Sequence, residues 1–219
     1  MALLNKPNGF SPVGSILGIP WNQQGRLYAI ANDASNTYAI GDVVMSAASS
    51  DANGVPLVTK WGGATTTSAL PLGIIVGIQV ADASVSLVGT TIALEKTYLS
   101  KSSGTRYVRV VDDPFIIFEA QFDVTGAAQA DLHKNAAVTI TADQTSTLSP
   151  SSPYSSLVLT APAVTATLPV RLLGAVQRPE NQLNGSSATP YLRVLCKWNY
   201  HEFGVTAGAS GSVVSYLAP

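Results

Sequence analysis

Cysteine is almost absent from this chain. Its 219 residues include one, Cys196, so no intrachain disulfide can hold the fold together. Histidine is nearly as scarce: His133 and His201 are the only two. With Cys196 they make three ligands at three separate places, too scattered for a zinc site, which takes about four. Charge is thin as well. Asp, Glu, Lys and Arg together are 11% of the chain, against about 25% in an average globular domain. Twelve basic residues face 13 acidic ones, for a net charge of -1. No basic cluster exists to neutralise phosphates, which argues against nucleic acid as a partner. No run approaches the ~20 apolar residues of a membrane-spanning helix. Pro7, Asn8 and Gly9 interrupt the opening residues at once, so neither a secretory leader nor a membrane partner is expected. There is no Gly-x-Ser-x-Gly elbow, no Gly-x-x-x-x-Gly-Lys loop and no dinucleotide-binding fingerprint.

What the chain does have is alternation. Hydrophobic residues reach 46%, and the mean hydropathy of +0.25 comes from Ala, Val, Leu and Ile scattered among small polar residues. A body of this size buries roughly 70% of its extended-chain surface. Residues 1–25 are punctuated by Pro7, Gly9, Pro12, Gly14, Gly18, Pro20 and Gly25, a spacing that defeats a helix. They read as an extended N-terminal arm, either lying on a neighbour or tucked as a first strand into the chain's own sheet. Residues 26–219 read as one β domain. Short strands are expected at 26–30, 38–45 with a bend at Gly41-Asp42, 55–61, 70–80, 92–100, 105–111, 115–122, 137–141, 156–160, 168–176 and 191–198. Lys101-Ser102-Ser103-Gly104 suits a hairpin turn between two of these strands. Ile116, Phe118, Ala120 and Phe122 share one face of their strand, and Ile117, Glu119 and Gln121 a second face turned to solvent or a partner. Leu192, Val194, Cys196 and Trp198 share a face in the same way. The one short helix expected is Ala128–Lys134. The fold class is therefore all-β, a barrel or jelly-roll-like sandwich with an extended N-terminal arm and at most one short helix. Leu70–Val76 and Leu168–Val176 echo one another weakly, as two halves of one barrel or by chance.

The residue types that carry chemistry are sparse. His201 could serve a hydrolytic triad, since serines abound, but a strand-end histidine is the plainer reading. Cys196, on the face of Val194 and Trp198, reads as a buried thiol. Asp112-Asp113 could contribute to a calcium site, yet adjacent side chains on an extended chain point to opposite faces, and a strand-ending turn before Pro114 is favoured. Trp21, Trp61 and Trp198 are far apart in sequence and read as core or interface anchors. No catalytic, cofactor-binding or metal-binding residues are assigned, and no enzymatic activity or cofactor is expected.

One series of segments carries a resemblance. Tyr38-Ala39-Ile40-Gly41-Asp42-Val43-Val44 is followed by Pro71-Leu72-Gly73-Ile74-Ile75-Val76-Gly77-Ile78, and then by Val110-Val111-Asp112-Asp113-Pro114-Phe115-Ile116-Ile117-Phe118-Glu119-Ala120-Gln121. After these come Val170-Arg171-Leu172-Leu173-Gly174-Ala175-Val176 and Leu192-Arg193-Val194-Leu195-Cys196-Lys197-Trp198-Asn199-Tyr200-His201. That order, over residues 38–203, is similar to the head decoration, or cement, proteins of tailed phages. The resemblance implies a viral structural protein on the capsid surface of the virion, present in the host cytoplasm during assembly. It implies binding across junctions between major capsid proteins as a homo-oligomer, a trimer first and a dimer second, with strand edges and the arm available for pairing with a neighbour. The capsid or subunit contacts expected are Leu3, Leu4, Phe10, Ile16, Leu17, Ile19 and Trp21. Another virion part (tail, fibre or minor head protein) and a carbohydrate-binding module are the alternatives.

Overall fold

The computed structural model describes residues 3–22, 24–31, 33, 35–62, 70–79, 97–99, 104–140, 154–207 and 213–215. Its strands in chain order are β1 (Ser11–Ser15), β2 (Arg26–Ile30), β3 (Tyr38–Ala39), β4 (Val43–Ser50), β5 (Pro56–Lys60), β6 (Gly73–Gln79), β7 (Tyr98–Leu99) and β8 (Arg106–Val111). They continue with β9 (Ile116–Gln121), β10 (Asn135–Ile140), β11 (Leu157–Ala163), β12 (Val170–Ala175), β13 (Arg193–Trp198), β14 (Val205–Ala207) and β15 (Val213–Ser215). The fold is all-β. Its helical content among the described residues is one 3-10 turn, Gln129–Asp131, shorter than the helix expected at 128–134.

Two bodies share one core. β2, β5, β4, β6 and β8 close into a barrel, and β1-β9-β13-β12-β10-β11 form a six-stranded sheet. Their packing, sandwich-like, is written in apolar doublets. Successive side chains on a strand point to opposite faces, so a doublet marks a strand buried on both sides. Val44, Ile75 and Val110 point into the barrel, where they meet Tyr28, Ile30, Tyr38 and Val108. Their neighbours Val43, Ile74 and Val111 face outward, into a second cluster with Phe118, Leu172, Val194 and Trp198 of the sheet. Register lines them up: Val43 pairs with Ile74, and Ile74 with Val111. Aromatic rings close the seam. Trp61 of the barrel meets Trp198 of the sheet edge-on at 5.9 Å, and Phe10 lies 5.2 Å from Trp198.

The N-terminal segment is part of this body. β1 pairs antiparallel with β9, at one edge of the six-stranded sheet, and Phe10, 2% exposed, belongs to the shared core. Just before it, Gly9 and Gly41 meet backbone to backbone. Both have positive φ, and a Cβ on Gly41 would stand 2.2 Å from the Asn8 carbonyl oxygen. Only glycine allows that approach, and it lets the Phe10 N–H donate to the Gly41 carbonyl at 3.0 Å. Beneath it the buried Asp42 accepts from Ser155 Oγ at 2.6 Å and from the Ala39 N–H at 2.9 Å, with Lys60 Nζ at 3.3 Å. Residues from the lead, the barrel and the sheet thus converge on one point.

Several sequence expectations are corrected. β4 runs on to Ser50, past the end expected at residue 45. β7 pairs with β3 rather than with β8, so the expected hairpin is not formed by those strands; its turn, Lys101–Ser103, and most of 92–100 lie outside the described residues. The two echoing segments fall in different sheets, β6 in the barrel and β12 in the six-stranded sheet, so they are not two halves of one barrel.

Candidate interaction surface

The polar side chains on the second face of β9 are not open to solvent. Glu119 and Gln121 are buried, because long cations and the lead segment cover them. Arg178 grips Glu119 with two nitrogens at 3.0 and 2.7 Å, and Arg193 adds a third contact at 3.1 Å. A carboxylate that has left water needs such a fork to be tolerated. Arg193 also donates to the Lys6 carbonyl at 2.9 Å, while Gln121 Nε2 donates to Asn5 Oδ1 at 3.2 Å and Gln121 Oε1 accepts from the Lys6 N–H at 3.3 Å. Residues 5–6 are therefore held by their main chain and by Asn5, and the Leu4 and Lys6 side chains stay exposed.

The seven expected contact residues separate. Phe10 is a core residue and is not available to a neighbour. Leu3 and Trp21 are partly buried against the core. Leu4 stands 71% exposed, and Ile16, Leu17 (61%) and Ile19 (62%) are exposed together along the end of β1 and the turn after it. The structure adds two residues that sequence reasoning missed: Val13 on β1, and Phe115, whose carbonyl accepts from the Ile16 N–H at 2.9 Å. Phe115 opens the strand expected at 115–122, but it stands in the turn that precedes β9 and is exposed.

A cleft of about 240 Å³ opens beside this apolar margin. Val111 and Ile116 form its buried floor, Pro20 and Trp21 line it, and Leu17 and Ile19 sit at its exposed side. Asp112 and Asp113 border it. Asp112 is engaged: Tyr28 donates to it at 2.7 Å and Arg26 pairs with it at 3.2 Å. Asp113 accepts from the Phe115 N–H at 2.8 Å and has no ion pair among the described residues. The pair thus forms the turn expected of it. No group of His, Cys, Asp and Glu able to hold a metal occurs among the described residues.

The remaining chemistry-bearing residues stand apart. His201 is 2% exposed. Its Nδ1 accepts from the Phe203 N–H at 3.1 Å, which leaves the proton on Nε2; among the described residues no serine hydroxyl is bound to the ring. Burial pushes its pKa down to about 4, against the opposing pull of Asp112, the Leu72 backbone and Asp113. His133 is exposed at a left-handed turn. Cys196 is buried, and desolvation holds its thiol far above the ordinary range, opposite to what a nucleophile needs. Trp61 and Trp198 are core residues, so the tryptophans form no exposed row. The edge strands of the six-stranded sheet are β1 and β11. β1 carries Pro12 and a register shift before Gly14, and β11 carries Pro162. Proline has no N–H to donate, so neither edge offers an unbroken ladder for strand addition. No family model, no curated protein and no solved structure matches this chain.

Proposed function

We propose that the protein is a virion structural component that decorates and stabilises a capsid by docking across junctions between major capsid proteins. The observation that carries this reading is the apolar margin of Val13, Ile16, Leu17, Ile19 and Phe115 on an otherwise charge-poor body. Large hydrophobics gathered at one edge, beside a cleft, are the makings of a protein contact. The sequence resemblance to head decoration proteins supplies the partner, and the low surface charge suits dense packing among copies. A clamp repeated by symmetry gains its hold from many weak contacts, so no single contact needs high affinity. Contacts here would be made by side chains, given the prolines on both edges.

The test is the copy number of the chain in purified virions, by quantitative mass spectrometry. Decoration expects on the order of hundreds of copies per particle, set by the symmetry of the shell. About a dozen copies would move the protein to a tail, fibre or minor head position. Absence from virions would end the virion reading altogether.

A further inference from the structure

We infer that the cleft between residues 15–22 and 111–116 is a self-association site that receives Leu4 of a second copy of this chain, with Lys6 of that copy set against Asp113. This deepens the reading of that margin as a docking face and rests on it. Size comes first. The cleft, at about 240 Å³, is below the roughly 300–1,000 Å³ of small-molecule sites. One aliphatic side chain inserted over a buried floor is the usual form of an interface anchor. Charge comes second. Arg26 answers Asp112, and Asp113 has no ion partner among the described residues, so the border of the cleft carries one unanswered negative charge. An occupant that complements it brings one apolar side chain with one cation beside it.

The chain itself supplies that occupant. Among the described residues the exposed large hydrophobics are Leu4, Val13, Ile16, Leu17, Ile19, Phe115, Val124, Tyr154, Val164 and Phe203. Of these, Leu4 alone has a lysine or arginine within two residues in sequence, Lys6. Both are exposed, and the segment that carries them is fixed by the Lys6 N–H, the Lys6 carbonyl and Asn5 against Gln121 and Arg193. A presented segment loses little freedom on binding. Its own cleft is lined by residues further along the same lead, so the partner must be another copy. The contact joins two different patches, which makes it head-to-tail. Such a contact closes into a ring when its rotation permits.

The test uses the full chain and its mass in solution, by sedimentation velocity over a concentration series. Self-association should weaken by roughly tenfold or more in Leu4→Ser, Lys6→Glu and Asp113→Lys, with far-UV circular dichroism unchanged. The double variant Lys6→Glu with Asp113→Lys should recover it, because the pair is restored with its signs reversed. Asp113→Asn keeps the acceptor for the Phe115 N–H and loses only the charge, so it should weaken association too. A monomer at all concentrations would overturn the inference, as would an oligomer that ignores these substitutions or a double variant no better than the singles. None of these results alters the copy number in virions, so failure here leaves the capsid reading standing, and absence from virions leaves the self-association result intact.

Discussion

At the scale of single residues, His201 gives the fold its own dependence on pH. It is buried as a neutral ring, and its pKa of about 4 in the folded chain lies below the 6.5 of a histidine in water. The unfolded chain therefore binds more protons between those two values. Stability is fully present above about pH 6.5 and is lost as pH falls towards 4. The difference is worth about 3 kcal/mol. Chemical denaturation from pH 7 to pH 4 should show this slope, and His201→Asn, which keeps an acceptor for the Phe203 N–H, should flatten it. An unchanged slope in the variant would place the acid sensitivity elsewhere. The sequence showed His201 at a strand end, but its burial depends on distant neighbours: Pro71 accepts the Glu202 N–H and Asp112 stands near the ring.

At the scale of elements, the lead segment decides most. Its prolines and glycines made an extended course legible, but not where it lies. That depends on Gly9 meeting Gly41 and on Phe10 reaching Trp198, contacts between residues far apart in the chain. Phe10→Ala should cost about 3–5 kcal/mol, the range for a large aromatic removed from a core, read as a fall in the urea midpoint. A cost below about 1 kcal/mol would mean that the lead is a detachable arm after all. Strand identity was more legible. Ile116, Phe118, Ala120 and Phe122 alternate inward as their period of two requires, and so do Leu192, Val194, Cys196 and Trp198. The cover over the polar face of β9 is not legible in its own sequence, because polarity alone does not reveal one. Arg178 and Arg193 come from later in the chain, and the lead from earlier.

At the scale of the whole molecule, barrel and sheet are joined by the row Val43–Ile74–Val111 and by the rings of Phe10, Trp61, Phe118 and Trp198. The doublets Val43-Val44, Ile74-Ile75 and Val110-Val111 lie in strands buried on both faces, and which face meets the second sheet is fixed by register. A core of this kind is shared property: neither body can keep its seam residues dry alone. Unfolding should therefore be one cooperative transition, with tryptophan fluorescence and far-UV circular dichroism giving the same midpoint. Ile74→Ala sharpens the point. Ile74 belongs to the barrel, yet it packs against the sheet, and its truncation should cost about 2–5 kcal/mol. Hydrogen exchange at the amides of β13, in the other body, should speed up by the factor that this energy implies. If β13 keeps its full protection while the barrel strands lose theirs, the two bodies unfold separately and the seam is a contact between domains, not a common core.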